Sequence, residues 1–283
     1  MRRVAIVVAL CGVLAGTPAA AETVHFRSAD GKTTLVGYLF LPRADSALSR
    51  APAIVLLHGR GGPYSSLANG VYTEATLSRR HATWAEFWAS QGFIALVVDS
   101  FGPRGYHGGF PRGSYSQRPA EVSEQTVRPL DAYGALAYLR ARPDVMADRV
   151  GLQGWSNGAM TALVTMSDNA PGITRPTPAT GFRAALALYP GCGMAHVQER
   201  FAPYAPMLML LASADDEVSP VTCEALAVRT RAAGGPLEVV VYDGAEHSFD
   251  DPGQRRQSVE ANRRATEDAR QRAVRFFRTH LTP

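Results

Sequence analysis

The residue with the clearest chemical potential is Ser156, the central serine of the sequence GWSNG at positions 154–158. The pattern G-x-S-x-G is typical of a nucleophile elbow, a sharp strand-to-helix turn that pushes the serine hydroxyl outward. Five letters can match by chance, so the neighbouring sequence has to decide. The apolar run 149–153 predicts a buried strand before the serine, and residues 157–167 predict a helix after it. This context favours an elbow with Ser156 as the nucleophile.

A serine hydroxyl is a weak nucleophile until a base removes its proton, and that base is usually a histidine oriented by a carboxylate. After an elbow the partners follow in the order acid, then histidine. Of the seven histidines, only His247 and His280 come late enough in the chain, and His280 falls in a predicted C-terminal helix. His247, in the sequence YDGAEHSF, is therefore the predicted base.

The acid is expected on the loop after the apolar run 207–211, where the sequence ASADDEVSP begins. Asp215 and Asp216 both fit this position. The distance from the strand end favours Asp215 as the triad acid, whereas Asp216 could cap the next helix or face solvent. Asp215 is the prediction and Asp216 is the alternative.

The sequence HGRGG at positions 58–62 follows another predicted strand, at a position where such folds supply half of an oxyanion hole. The predicted donors to a developing oxyanion are the backbone N–H groups of Arg60 and Asn157. His58 could suggest a metal site, but no second ligand stands at a usual spacing from it. We therefore predict that His58 shapes the loop.

The Gly- and Pro-rich stretch 101–119 is too long for an ordinary strand-to-helix turn, and such loops often form pocket walls. Within it, Arg104 could bind a substrate carboxylate, or it could brace the loop through backbone carbonyls. Trp155, Tyr64 and Tyr106 could line the pocket or simply pack. Arg104 and Trp155 are the predicted substrate contacts.

Apolar runs alternate with helix-like stretches over most of the chain. Two runs around the turn Asp30-Gly31 predict a hairpin, and the continuous apolar runs that follow suit strands buried in a parallel sheet. The strands are predicted at 23–27, 35–41, 53–57, 93–98, 149–153, 184–188, 207–211 and 237–242. Helices are predicted at 81–90, 123–140, 157–167, 220–233 and 257–280. This order predicts an α/β fold with helices on both faces of the sheet.

The N-terminal sequence MRRVAIVVALCGVLAGTPAAA contains two arginines, an apolar run and then small residues, which is typical of a cleavable secretory signal. We predict a signal peptide at 1–21 and a single domain at 22–283, exported to the periplasm or secreted. The apolar run is shorter than the roughly 20 residues of a membrane anchor, so a tethered N-terminus is the less favoured alternative.

Charge and cysteine content fit an exported protein without a nucleic-acid partner. The 29 basic and 25 acidic residues give a net charge of +4, of which Arg2 and Arg3 would leave with the signal peptide. This small excess gives no indication of nucleic-acid binding. Cys192 and Cys223 would remain in an oxidising compartment, where we expect a disulfide between them. Two separate buried thiols are the alternative.

Together these motifs resemble the dienelactone hydrolase family. The resemblance rests on HGRGG, DSFGPRG at 99–105, DRVGLQGWSNG at 148–158, YPGC at 189–192, ASADDEVSPVTC at 212–223 and YDGAEHSF at 242–249. It implies the α/β-hydrolase fold with an eight-stranded, mostly parallel sheet. It also implies no metal or organic cofactor, and hydrolysis of a small-molecule ester or lactone.

One departure limits what the resemblance carries over. Dienelactone hydrolases use a cysteine at the elbow, whereas this chain has Ser156. The resemblance therefore implies a carboxylic-ester hydrolase with an acyl-enzyme on Ser156, and it leaves the substrate open. A serine peptidase of the same fold and a catalytically inactive binding protein are the alternatives. The intact serine, acid, histidine and oxyanion loop argue against the inactive protein.

Overall fold

The computed structural model describes residues 21–42 and 50–283 of the chain. Apart from Ala21, the predicted signal peptide lies outside the described residues, and export stays a prediction. Within these two ranges, no helix is both long enough and apolar enough to cross a membrane.

One eight-stranded sheet forms the centre of the fold. Its strands are β1 Glu22–Arg27, β2 Thr34–Phe40, β3 Ala51–Leu57, β4 Ile94–Asp99, β5 Val145–Trp155, β6 Ala185–Leu188, β7 Met207–Ala212 and β8 Leu237–Tyr242. They lie in the order β1-β2-β4-β3-β5-β6-β7-β8 across the sheet. The pairs β1–β2 and β2–β4 are antiparallel, and the other pairs are parallel. The predicted mostly parallel eight-stranded sheet is confirmed.

Helices cover both faces of this sheet, as the sequence predicted. They are α1 Arg79–Ser90, α2 Arg128–Ala141, α3 Asn157–Met166, α4 Ala195–Glu199, α5 Pro220–Ala232, α6 Gln254–Gln257 and α7 Glu260–Leu281. Side chains alternate along the central strand β3, so that Val55 and Leu57 pack on one face and Ile54 and Leu56 pack on the other. Helices α2, α3 and α5 bury the first face, while α1 and α7 bury the second.

Several helix ends differ from the prediction for identifiable reasons. The helix expected from residue 123 begins at Arg128, because Pro129 has no N–H and is accommodated only in the first helical turn. Residues 124–127 form turns instead. The C-terminal helix expected over 257–280 begins later, at Glu260, because Val259 before it has an extended backbone. Gln257 is instead the last residue of the short helix α6. Helix α5 is capped by Ser219, whose side chain accepts a hydrogen bond from the N–H of Thr222.

A disulfide joins Cys192 to Cys223, with their Cα atoms 5.1 Å apart. The expected bridge is therefore confirmed. It ties the loop after β6 to helix α5, and both half-cystines are buried. The bridge fixes the glycine-rich segment around Cys192 beside the end of β5, where the elbow lies.

Candidate active site

The turn at Ser156 is a nucleophile elbow in geometry as well as in sequence. Strand β5 ends at Trp155 and α3 begins at Asn157, and Ser156 between them has φ 51° and ψ −114°. The flanking glycines are required by close packing. A Cβ atom at Gly158 would lie 2.0 Å from the carbonyl oxygen of Leu57, and one at Gly154 would lie 2.2 Å from the Gly158 carbonyl oxygen. Only glycine permits this crossing of α3 over the end of β3.

Three predicted side chains meet at this turn. His247 Nε2 lies 3.0 Å from Ser156 Oγ, and His247 Nδ1 lies 2.7 Å from Asp215 Oδ2. The other carboxylate oxygen of Asp215 accepts the backbone N–H groups of Glu217 and Val218, each at 2.9 Å. These two bonds fix the carboxylate, which in turn orients the imidazole towards the serine. The structure thus places a serine hydroxyl, an imidazole and a carboxylate in one hydrogen-bonded line.

The alternative acid Asp216 points away from this line. Its side chain is 63% exposed and pairs with Arg112 on the long loop after β4. Of the two neighbouring aspartates, the structure brings only Asp215 to His247.

The predicted oxyanion donors lie on either side of Ser156. The loop of Gly59 and Arg60 approaches the elbow so closely that a Cβ atom on Gly59 would lie 3.5 Å from the Ser156 Cβ. Within the described part of the chain, the backbone N–H groups of Arg60 and Asn157 have no hydrogen-bond acceptor. Asn157 also begins α3, so its N–H carries the positive end of the helix dipole. Both groups are therefore available to a developing negative charge.

Buried polar residues hold the oxyanion loop in shape. His58 Nδ1 lies 2.7 Å from the Gly59 carbonyl oxygen, and its Nε2 accepts the N–H of Ser100. Burial and the nearby Arg128 charge lower the pKa of His58 well below its usual value, so the imidazole is neutral. Arg128 donates to the His58 carbonyl at 2.7 Å. His58 thus has the loop-shaping contacts predicted for it, and the described residues contain no metal-binding cluster.

A buried carboxylate that the sequence analysis missed anchors the histidine loop. Asp250 Oδ2 accepts the indole N–H groups of Trp84 and Trp155, each at 2.8 Å, and its Oδ1 accepts the hydroxyl of Tyr189. The Tyr189 ring also packs against His247, with 4.7 Å between ring centroids. Asp250 therefore links Trp155, the residue before Ser156, to the loop that carries His247. An aspartate three positions after the predicted histidine was the available sequence clue.

The two side chains predicted to contact substrate lie elsewhere, and these predictions need correction. Arg104 is buried and donates to both carboxylate oxygens of Asp131 at 2.8 Å, and also to Asp30 and to the Ser100 carbonyl. These acceptors use its donors within the protein, so it braces the long loop. Trp155 is fully buried and bound to Asp250. Neither residue lines the cavity beside Ser156.

A second missed residue is Glu217, which stands beside the catalytic candidates. Its carboxylate pairs with the guanidinium of Arg60, and its Oε2 lies 3.9 Å from His247 Nε2. The pair joins the acid loop after β7 to the oxyanion loop after β3. The long loop 101–119 completes the neighbouring cavity with Arg112, Gly113, Tyr115 and Arg118.

A comparison of the chain with models of known protein families identifies its family. The model of the dienelactone hydrolase family matches residues 37–281. The chain belongs to this family. The motifs around Ser156 had suggested the same family.

Curated relatives match this family member over about half of its length. Dipeptidyl peptidase 8 of Homo sapiens is 29% identical over 150 residues, which are 51% of this chain and 15% of the peptidase. A thiohydrolase of Arthrinium phaeospermum is 34% identical over 145 residues, 50% of this chain and 38% of the thiohydrolase.

Solved structures share the fold over nearly the whole chain. Esterase 2 of Thermogutta terrifontis, phosphorylated by paraoxon, superposes with a TM-score of 0.64 at 20% identity and covers 94% of this chain and 97% of its own. A dienelactone hydrolase-like promiscuous phosphotriesterase from metagenomic libraries superposes with a TM-score of 0.64 at 19% identity. The match covers 92% of this chain and 98% of the phosphotriesterase. At these identities the likeness shows the α/β-hydrolase fold.

The buried histidine His81 predicts how the stability of the protein depends on pH. Burial, followed by the charge of Arg80, lowers the pKa of His81 from 6.5 to about 3. Between these two values the unfolded chain binds a proton that the folded chain excludes. The free energy of unfolding therefore has its full value with respect to His81 above about pH 6.5. Below that it decreases as the pH falls, by up to about 1.4 kcal/mol per pH unit.

Urea unfolding at several pH values between about 7 and 4 measures this dependence. In the variant His81→Gln, which cannot titrate, the free energy of unfolding should fall less steeply with decreasing pH than in the wild type. Parallel curves for the two proteins would contradict a neutral, buried His81.

Proposed function

We propose that this protein is an exported serine esterase that cleaves carboxylic esters or lactones through an acyl-enzyme on Ser156. The observation that carries the proposal is the hydrogen-bonded line from Asp215 through His247 to Ser156, with distances of 2.7 and 3.0 Å. It stands beside two backbone N–H groups that have no acceptor among the described residues. Family membership supplies the reaction class.

Acylation starts when Ser156 Oγ attacks the ester carbonyl carbon while His247 Nε2 takes the hydroxyl proton. The negative charge moves to the carbonyl oxygen, where the N–H groups of Arg60 and Asn157 stabilise it. Asp215 stabilises the imidazolium that forms and holds its tautomer. The imidazolium then gives its proton to the leaving oxygen as the carbon–oxygen bond breaks. The alcohol departs, and the acyl group remains on Ser156.

Deacylation repeats these steps with water in place of the serine hydroxyl. His247 takes a proton from the water, the hydroxide oxygen attacks the acyl carbon, and the same N–H pair stabilises the oxyanion. Collapse returns the proton to Ser156 Oγ and releases the carboxylic acid. With a lactone, the alcohol and the acid are two ends of one product.

A serine peptidase is the second candidate, because the same groups cleave amides and dipeptidyl peptidase 8 is among the relatives. That match spans 15% of the peptidase, so it does not carry over the activity of the whole relative. The match to a thiohydrolase makes thioesters worth assaying beside oxygen esters. The intact hydrogen-bonded line argues against an inactive binding protein.

Two features support export. The N-terminal sequence has the order of a secretory signal, although it lies outside the described residues. The bridge between Cys192 and Cys223 is of a kind that persists in oxidising compartments and is rare in the cytosol.

The proposal predicts that esters are hydrolysed and that the activity depends on Ser156. We expect Ser156→Ala to lower kcat for p-nitrophenyl esters by at least about 10⁴-fold, since the nucleophile is gone. The assay should include thioesters and dipeptide amides, with circular dichroism as the folding control. Equal ester turnover in both proteins would refute Ser156 as the nucleophile, and preferred turnover of amides would make the protein a peptidase.

The acid loop gives a matched pair of variants. Asp215→Asn should lower kcat by about 10⁴-fold, because an amide cannot hold the same imidazole tautomer. Asp216→Asn should stay within a few-fold of the wild type, because Asp216 contacts Arg112 and not His247. Steady-state kinetics on one ester decide the question. A large loss in the Asp216 variant alone would show that the acid is misassigned.

A further inference from the structure

Ser156 lies where two separate cavities meet. The larger has a volume of about 400 Å³ and the smaller has a volume of about 220 Å³. Three residues border both cavities, namely Ser156, Arg60 and Glu217. A substrate attacked by Ser156 also has two parts, the acyl group and the leaving group. The site therefore offers one space for each part.

The ion pair of Arg60 and Glu217 forms the partition between the two cavities. Arg60 Nε lies 3.1 Å from Glu217 Oε2, and Nη2 lies 3.2 Å from Oε1, so the contact is bidentate. Arg60 Nη1 also donates to the carbonyl oxygen of Phe110. Burial alone would raise the pKa of Glu217, but the Arg60 hydrogen bond and the His247 charge lower it below its usual value. The carboxylate is thus ionised near neutral pH, and the partition persists.

The position of the base decides which part of the substrate enters which cavity. His247 borders the smaller cavity and not the larger one. Because the imidazolium must protonate the leaving oxygen, the leaving group has to lie on the same side as His247. The acyl group then occupies the larger cavity, which Asn157 and Met160 border.

The walls of the two cavities differ in chemistry. Beside Ser156, the larger cavity has the apolar side chains Met160, Met194 and Val218. Its border also includes charged side chains, but these are paired within the protein: Arg112 with Asp216, and Arg118 with Glu124. The smaller cavity is bordered by polar side chains, which are Ser78, Arg80, His81, Ser248 and Asp251.

A buried histidine supports the polar border of the smaller cavity. His81 is 3% exposed, and its Nδ1 lies 2.7 Å from Ser78 Oγ and 3.0 Å from the Pro63 carbonyl oxygen. The carbonyl oxygen can only accept a hydrogen bond, so Nδ1 carries the proton of the neutral imidazole. The histidine thus holds the Ser78 hydroxyl, which borders the same cavity, in place.

We propose that the Arg60–Glu217 ion pair separates an acyl site from a leaving-group site, so that the preferred substrates are esters of an apolar, medium-length acid with a short, polar alcohol. The inference rests on the proposed function of Ser156. It names the pair as determinants of specificity, in addition to the backbone role of Arg60.

Two glycines allow each cavity to be narrowed separately. Gly193 borders the larger cavity and Gly61 borders the smaller one. A Cβ atom at either position would meet nothing within 4 Å, and neither glycine has a left-handed backbone. Gly193→Leu and Gly61→Leu are therefore a matched pair of variants that add bulk on opposite sides of Ser156.

The test uses two series of esters. The first consists of methyl esters of acids from acetate to hexanoate. The second consists of the methyl, 2-hydroxyethyl and butyl esters of butanoate. In the wild type, kcat/KM should rise with the length of the acyl chain. In the second series, kcat/KM for the 2-hydroxyethyl ester should exceed kcat/KM for the butyl ester. Gly193→Leu should lower the hexanoate-to-acetate ratio of kcat/KM by about tenfold or more. Gly61→Leu should instead lower the 2-hydroxyethyl-to-methyl ratio, with the acyl ratio close to that of the wild type.

Removal of the partition gives a third variant, Glu217→Ala. We expect it to reduce the preference for 2-hydroxyethyl over butyl several-fold, because the bulky alcohol can then extend past the former ion pair. If Gly193→Leu changed the alcohol series and Gly61→Leu changed the acyl series, the assignment of the two cavities would be reversed. If each leucine variant changed both series equally, the two cavities would not be separate sites. If the wild type cleaves esters in a Ser156-dependent way while these ratios stay unchanged, the inference fails and the proposed function stands.

Discussion

The site depends on one packing constraint, the crossing of helix α3 over the end of strand β3. At Gly158 the backbone of this helix comes so close to Leu57 that no side chain fits between them. The crossing forces Ser156 into a conformation with φ 51°, a strain of about 1–3 kcal/mol that the surrounding structure has to offset. In return, the serine hydroxyl stands above the sheet, the oxyanion loop lies beside it, and the N–H of Asn157 has no acceptor among the residues that the structure describes.

The remaining groups reach Ser156 because parallel strands deliver their loops to the same sheet edge. Arg60 follows β3, Asp215 follows β7 and His247 follows β8, all at the carboxyl ends of their strands. Buried polar contacts then set the final positions. Asp250 joins the elbow to the histidine loop, His58 and Arg128 fix the oxyanion loop, and the ion pair of Arg60 with Glu217 connects the loops across the site. These contacts explain how loops from distant parts of the chain maintain one geometry.

The sequence predicted whatever depends on local pattern, and it failed where long-range contacts decide. Continuous apolar runs gave the strands, and the chain order gave His247. Counting from a strand end favoured Asp215 but left Asp216 as an alternative, because the direction of a side chain in a turn depends on the folded loop. Arg104 was misplaced because its acceptor Asp131 is distant in sequence. Glu217 was overlooked for the same reason, since its partner Arg60 is 157 positions away.

The central claim is that His247 makes Ser156 a nucleophile, and phosphorylation by paraoxon tests it most directly. An activated serine displaces p-nitrophenol and keeps the diethylphosphoryl group on its oxygen, whereas an ordinary serine does not. Mass spectrometry of the treated, digested protein should find one such group, on the peptide that contains Ser156. The adduct should be absent from His247→Ala. Labelling of another residue, or equal labelling of the wild type and the His247 variant, would contradict the account.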